Sequence, residues 1–157
     1  MTNPAGLIRE ARSAGRLALD EVAGKQLLAV YGVTVPKSIV VPGAAEVNAA
    51  LTGLEAPFVV KVISPDILHK SDAGGVKVNL GTAAEVEEAI MTMMRQPAIS
   101  EACVDGFLIE EMAPAGQEIV VGGLRDAQFE PLVMVGLGGI FVEVLADVAF
   151  RICPVTR

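Results

Sequence analysis

The sequence predicts an α+β fold in which an α/β lobe is followed by a lobe of antiparallel strands. Helix-like and strand-like segments alternate over the first part of the chain, and short strand-like runs alone occupy the remainder. The change falls at a proline- and glycine-containing connection, Pro114 to Gly116. We therefore expect an N-terminal arm at residues 1–19, a first lobe at 20–113 and a second lobe at 114–157.

The first lobe is predicted to begin with a helix. Asp20 is a good N-cap for a helix at 21–31, which Gly32 ends, whereas residues 1–19 suggest a loose arm. The later elements, in order, are a strand at 38–41, a helix at 46–54, strands at 57–63 and 76–80, a helix that opens with a Thr82–Glu85 capping box, and a strand at 106–112. The helix after the capping box should turn five apolar residues to the core: Val86, Ala89, Ile90, Met93 and Met94.

The second lobe is predicted to be an antiparallel meander. Its apolar runs lie at 118–124, 131–136, 140–145 and 148–153, and turn residues separate them. Four strands without a covering helix bury little apolar surface. We therefore expect this lobe to be truncated at its C-terminus or covered by a partner.

Composition excludes several classes of function. A net charge of -7, the absence of Trp and a single Tyr argue against a nucleic-acid surface. No apolar run approaches the roughly 20 residues that a membrane span needs, and the N-terminus lacks the apolar segment of a signal peptide, so a cytoplasmic protein is expected. Cys103 and Cys153 form no CxxC motif and are predicted to be inert core thiols.

Lys61 lies in the strand FVVKVI, in which every other residue is apolar. One interpretation is an edge strand that turns the lysine to solvent. The other is an inward-facing lysine, which is costly to bury unless an anion such as phosphate accompanies it. The pattern alone leaves both interpretations open.

Glu110 and Glu111 lie near the end of the last predicted strand of the first lobe. Neighbouring residues of a strand face opposite sides, so these two carboxylates cannot share a face. They are either solvent-facing or part of a strand end against which a nucleotide base lies. The GLGG run at 136–139 does not match GxGxxG and is explained by a hairpin turn.

His69 is the only histidine of the chain, and it lies in the loop SPDILHKSDAGG. A lone histidine is more often a bystander than a catalyst. Neutral imidazole is nevertheless a good nucleophile near pH 7, and the adjacent Lys70 would suit a phosphate attached to it. The pair Gly74 and Gly75 allows the loop backbone to close up or swing.

Three stretches carry a resemblance to a known family: LDEVAGKQLLAVYGVTVP, VVKVISPDILHKSDAGGVKVNL, and the region from LIEEMAPAGQEIVVGG to GLGGIFVEVL. Over residues 17–157 the chain resembles the ATP-grasp domain of the ADP-forming acetyl-CoA and acyl-CoA synthetases. The resemblance implies an ATP-grasp fold, and an acid-thiol ligase of the acetate–CoA ligase (ADP-forming) type, present as one subunit or domain. The implied reaction is acyl-CoA + ADP + phosphate to free acid + ATP + CoA.

The resemblance also implies roles for single residues. Lys61 corresponds to the strand lysine that holds ATP phosphates, and His69 to the phosphohistidine that passes a phosphoryl group to ADP, with Gly74 and Gly75 as its flexible tether. The hinge against which adenine lies corresponds to Glu110, Glu111, Met112 and Ala113, and the residue that faces the ribose corresponds to Glu118. ATP or ADP and Mg2+ are the implied cofactors. The Mg2+ ligands of this chain are unknown.

The implied partners are a CoA-binding subunit or domain, a small-molecule acid and its acyl-CoA, within an oligomer. We therefore predict that the chain alone cannot turn over. Two alternatives stay open. The chain could be the regulatory synthetase-like module of a protein acetyltransferase. Such a module could lose Lys61 and His69, whereas this chain has both. It could also be a succinyl-CoA synthetase β-like subunit, although the corresponding loop there is a glycine-rich phosphate loop that lacks HKSDAGGV.

Overall fold

A computed structural model describes residues 3–16, 18–67, 69–139 and 148–155. It divides into two units, Met1–Ala113 and Pro114–Arg157. In these ranges, helices occur together with two antiparallel sheets, which confirms the predicted α+β class.

The first unit contains five helices and four strands among its described residues. The helices are α1 (Pro4–Ser13), α2 (Glu21–Val30), α3 (Val47–Ala50), α4 (Ala83–Met94) and α5 (Pro97–Ser100), with a 3-10 turn at Ala44–Glu46 before α3. The strands are β1 (Ser38–Val41), β2 (Phe58–Ile63), β3 (Val76–Leu80) and β4 (Gly106–Glu111). The capping box that begins α4 is formed as predicted.

The structure differs from the predictions at three helices, one of which, the short helix α5, was not predicted. The segment predicted as a loose arm contains α1, because the Asn3 side chain accepts from the N–H of Ala5 at 3.0 Å and a proline follows in the first turn. The helix predicted at 46–54 ends at Ala50. Gly53 has φ +90, a left-handed conformation that an α-helix does not contain, so the chain turns there.

The four strands of the first unit form an antiparallel sheet in the order β1-β4-β2-β3. One face of this sheet packs against α4 and forms the core. That core includes Phe58, Val60, Val62, Phe107 and Ile109 from the sheet and Val86, Ile90 and Met93 from α4. Met94, which was predicted to join them, is 45% exposed. The opposite face therefore carries the intervening residues of β2 and β4, which include Lys61 and Glu110.

Among its described residues, the second unit contains a three-stranded antiparallel sheet, β5 (Ile119–Asp126), β6 (Glu130–Leu137) and β7 (Val148–Ile152), in that order. The pairing of β5 with β6 is as predicted, but β6 pairs directly with β7, whereas the predicted four-stranded meander places the run at 140–145 between them. That run lies outside the described residues. The turn after β5 is closed by Asp126, whose Oδ1 accepts from the N–H groups of Gln128 and Phe129 at 2.8 and 2.9 Å. Ile119 and Val121 are 63% and 67% exposed on β5.

The two cysteines are free, but the prediction of core thiols is wrong for Cys103. Cys103 is exposed because it lies in the connection between α5 and β4, where only its backbone N–H is engaged, by the carboxylate of Asp66 at 2.8 Å. Cys153 is half-buried. Within the described ranges, no helix has the length and apolar character that crossing a membrane requires.

Candidate functional site

A cluster of five charged side chains lies beside the sheet face opposite the core of the first unit. We call it the charge cluster, and it consists of Glu21, Lys25, Lys61, Lys70 and Glu110. Its members come from α2, β2, the loop after β2, and β4. These elements are far apart in the sequence, so the cluster exists only because the sheet and α2 bring them together.

Lys61 is at the centre of the charge cluster. Its strand, β2, pairs with β4 on one side and with β3 on the other, so the edge-strand interpretation is wrong. The Nζ atom of Lys61 lies 2.5 Å from Oε1 of Glu21 and 2.6 Å from Oε1 of Glu110. Anions accompany this lysine, as the inward-facing interpretation requires, and in this structure they are the carboxylates of Glu21 and Glu110.

Glu110 is a buried carboxylate, 4% exposed, so the solvent-facing interpretation is wrong for this residue. Glu110 pairs with Val59 on the neighbouring strand β2. Lys61 is two residues after Val59, so the side chains of Lys61 and Glu110 lie on the same face of the sheet. Lys25 also pairs with Glu110. Glu111 faces the other way, where it accepts from the N–H of Glu55 at 3.0 Å.

Glu21 connects three lysines. Its Oε1 atom accepts from Lys25 at 3.0 Å and from Lys61 at 2.5 Å, and its Oε2 atom accepts from Lys70 at 3.0 Å. Glu21 and Lys25 were not among the predicted site residues, because an acid in the first turn of a helix already has a local explanation in the helix dipole. Their i, i+4 spacing was visible in the sequence, but such pairs are common on exposed helices.

The charge cluster carries three ammonium groups and two carboxylates, so it has an excess positive charge that fits a phosphate. Burial raises the pKa of Glu21, but the hydrogen bonds from Lys61, Lys25 and Lys70 outweigh it and hold this pKa at about 2, below its usual 4.5. Burial lowers the pKa of Lys61, and the hydrogen bonds to Glu110 and Glu21 raise it above its usual value. Lys61 is therefore a permanently charged cation at neutral pH.

The lowered pKa of Glu21 predicts an acid-sensitive contribution to stability. The contribution is complete above pH 4.5, the pKa of the unfolded chain, and is lost as the pH falls through the folded value of about 2. As the pH is lowered through this window, the free energy of unfolding of the wild type should decrease more steeply than that of Glu21→Gln. The measurement is urea denaturation at several pH values. Parallel pH curves for the two proteins would contradict this.

His69 lies in the loop between β2 and β3, and its side chain is exposed. Lys70, the next residue, ties this loop to the charge cluster through Glu21. Beside the loop is a cavity of about 750 Å³, whose lining includes Glu21, Ile63, Asp66 and Lys70. The structure therefore joins the histidine loop and Lys61 to the same carboxylate.

Gly75 is packed tightly at the end of this loop and does not act as a free hinge in this conformation. Its N–H donates to the carbonyl of Lys70 at 2.7 Å, and its own carbonyl accepts from Val62 at 2.9 Å. A Cβ at this position would lie 2.5 Å from Cγ1 of Val62. Glycine is thus required by close approach at Gly75, whereas Gly74 has a left-handed φ of +71.

We expect Gly75→Ala to lower the free energy of unfolding by about 2 kcal/mol, because the added methyl group overlaps a buried side chain. The measurement is chemical denaturation. Gly116→Ala is the control, since a Cβ there meets nothing within 4 Å, and it should leave stability nearly unchanged. Equal stability of the two variants would show that the loop relaxes around the new side chain.

The strand end predicted as an adenine hinge continues from Glu110 to Ala113. The N–H groups of Glu111 and Met112 donate to the carbonyls of Lys37 and Pro57 at 3.0 and 2.9 Å. Contact with a base would therefore use other polar groups of this segment. Met112 is 38% exposed.

Glu118 lies in the second unit and contacts the GLGG run. Its carbonyl accepts from the N–H of Gly138 at 2.8 Å, and a Cβ on Gly138 would lie 2.8 Å from the Cβ of Glu118. The first two residues of GLGG belong to β6, and Gly138 gives space to Glu118. The hairpin explanation of GLGG therefore missed this close contact.

Metal ligands are not identified by the structure. Among the residues that it describes, no group of three or more His, Cys, Asp or Glu side chains is placed to hold a metal ion. The chemistry of the charge cluster is that of anion binding.

The α+β fold and the lysine cluster beside the histidine loop define a domain suited to binding phosphate. The chain belongs to the ATP-grasp family, since the family model for the ATP-grasp domain matches residues 10–157. This confirms the predicted fold.

Several relatives are named as ADP-forming CoA ligases. The β subunit of acetate–CoA ligase [ADP-forming] I from Pyrococcus furiosus is 42% identical over 153 residues, which cover 96% of this chain and 66% of that protein. A structure of Ca. Korarchaeum cryptofilum dinucleotide forming acetyl-coenzyme A synthetase 1 with coenzyme A, Ca-AMPCP and HgCl+ is 38% identical with a TM-score of 0.90, and covers 98% of this chain and 68% of that one. The chain thus spans about two thirds of the length of these proteins.

Another structure of the Korarchaeum enzyme contains coenzyme A and Mg-AMPPCP, with its phosphohistidine segment pointing towards the nucleotide binding site. It is 38% identical, has a TM-score of 0.80, and covers 98% of this chain and 66% of that one.

Proposed function

We propose that this chain is the nucleotide-binding part of an ADP-forming acyl-CoA synthetase, in which a phosphoryl group passes between His69 and ADP. The observation that carries the proposal is the shared carboxylate of Glu21. It accepts from Lys61, on the strand, and from Lys70, next to the only histidine of the chain. Lys61, which would bind phosphate, and the histidine loop therefore contact the same carboxylate.

In the proposed step, a neutral ring nitrogen of His69 attacks the γ-phosphorus of ATP. The N–P bond forms while the bond from phosphorus to the bridging oxygen breaks, and ADP leaves with that oxygen. The reverse step makes ATP from phosphohistidine and ADP. Lys61 would neutralise charge on the phosphates, and Glu110 would keep Lys61 charged and aimed into the site. Mg2+ would neutralise further charge on the nucleotide.

Adenine would lie along Glu110 to Ala113, and Glu118 would face the ribose. These roles rest on the family resemblance, and the structure adds that the side chain of Glu110 is committed to Lys61 and Lys25. The role of Glu110 is therefore to position the phosphate-binding lysine, and any contact with the base falls to its backbone.

The complete reaction would be acyl-CoA + ADP + phosphate to free acid + ATP + CoA. It requires a CoA-binding subunit or domain, where the acyl group reacts and from which the phosphoryl group reaches His69. We also propose that the complete enzyme is an oligomer, because the match to a β subunit implies a second kind of subunit or domain. The fold and charge cluster suit the nucleotide end of this relay.

The proposal is tested by phosphoryl transfer from ATP. The complete gene product, mixed with its CoA-binding subunit if that is a separate chain, is incubated with Mg2+ and γ-phosphate-labelled ATP. We expect acid-labile, base-stable label on the protein, and a chase with unlabelled ADP should return the label to ATP. Nucleotide binding without any label would favour the regulatory-module alternative, and no binding at all would refute the proposal.

A further inference from the structure

The two oxygens of the Glu21 carboxylate are divided between lysines from different elements. Oε1 accepts from Lys61 of β2 at 2.5 Å, and Oε2 accepts from Lys70 of the histidine loop at 3.0 Å. A phosphoryl group presents paired oxygens with a similar separation and a greater negative charge. Lys61 and Lys70 are therefore spaced to receive a phosphoryl group where Glu21 now lies.

Two of the three lysines stay paired when Glu21 turns away. Lys61 keeps Glu110 at 2.6 Å, and Lys25 keeps the same partner. Glu21 is 23% exposed and lines the cavity of about 750 Å³, so its carboxylate can turn towards water. Lys70 alone would lose its carboxylate, and a phosphoryl oxygen would replace it.

We propose that Lys61 and Lys70 form a phosphoryl subsite, and that Glu21 is its internal competitor, displaced whenever a phosphoryl group binds. This proposal rests on the proposed function. The competitor lowers the affinity of the subsite, which suits a relay in which each phosphoryl group must be released after it is transferred. Glu21 thus sets the affinity of the subsite and does not touch the reacting atoms.

The test compares Glu21→Gln with Asp105→Asn in the complete gene product. Both variants remove one negative charge from the first unit, but Asp105 pairs with Arg16 and not with the charge cluster. ADP affinity is measured by titration calorimetry. We expect Glu21→Gln to bind ADP about tenfold more tightly than the wild type, the scale of a partly screened ion pair, and Asp105→Asn to stay within about twofold. Unchanged or weaker binding by Glu21→Gln would overturn the proposal.

A double-mutant cycle with Lys70→Met tests the same subsite without relying on one variant. The gain from Glu21→Gln should shrink in the Lys70→Met background, because half of the subsite is gone. A gain of equal size in both backgrounds would show that Glu21 acts only through its general charge, and would overturn the proposal. Thermal melting of each variant confirms that it is folded.

The phosphoryl-transfer assay separates this proposal from the proposed function. Label on the wild type without tighter ADP binding by Glu21→Gln refutes the competitor and leaves the function in place. Tighter binding by Glu21→Gln without label on the wild type supports the subsite and refutes phosphoryl transfer to His69.

Discussion

His69→Ala should carry no acid-labile, base-stable phosphate after incubation with γ-phosphate-labelled ATP, whereas the wild type is labelled. His69 is the only histidine of the chain, and alanine has no nucleophile with which to form an N–P bond. Its side chain is exposed, so the substitution opens no cavity in the core and should leave the melting temperature within about 2 °C of the wild type. The measurement is labelling followed by acid and base treatment of the isolated protein.

Ser71→Ala is the matched control for His69→Ala. Ser71 is also exposed and lies in the same loop, so it reports on any general disturbance of the segment. We expect Ser71→Ala to be labelled like the wild type. Persistent label on this chain in His69→Ala would remove the carrier role from His69 and would direct attention to another nucleophile.

Lys61→Met should lower the rate of phosphoryl transfer about 100-fold, the usual effect of removing one charge-stabilising donor from a transfer site. Methionine keeps most of the length and apolar body of lysine but removes the ammonium group. The variant should also lose about 2 kcal/mol of stability, because buried Glu110 keeps only Lys25 as a partner. The rate is followed by rapid-quench labelling and the stability by urea denaturation.

Lys77→Met is the control for this substitution. Lys77 is exposed on the neighbouring strand β3 and lies outside the charge cluster, so its variant should transfer phosphate at the wild-type rate. If Lys61→Met loses stability but transfers phosphate at the wild-type rate, Lys61 serves only to neutralise Glu110. Loss of transfer in both variants would instead indicate that the general positive charge of the unit matters.

The elements that could be predicted from the sequence are those with strong local signals. The Thr82–Glu85 capping box begins α4, and the Asp20 cap begins α2, because both satisfy N–H groups within a single turn. The strands β2 and β4 were likewise predicted from their apolar runs. The α1 helix was missed because its N-cap is a single asparagine followed by few apolar residues.

The candidate site could be predicted only in part. Lys61 and His69 were singled out because a lysine in an apolar strand and a lone histidine before a Gly-Gly pair are unusual in their local setting. The charge of Glu110 was visible, but its burial was not, because burial depends on which face of β4 turns towards α2. The roles of Gly75 and Gly138 were likewise hidden, since each depends on a side chain that the fold brings close.

Most helices and strands of the first unit, the antiparallel strands of the second unit and the likeness to the ATP-grasp domain of acyl-CoA synthetases followed from the amino-acid sequence. These properties depend on periodicity, charge and motifs that are local along the chain. The choice between an exposed and a paired Lys61, and the role of Glu21 as the partner of three lysines, were decided by the tertiary structure. Their physical reason is that an ion pair depends on distances between elements, and the pairing of β2 with β4 and the placement of α2 set those distances.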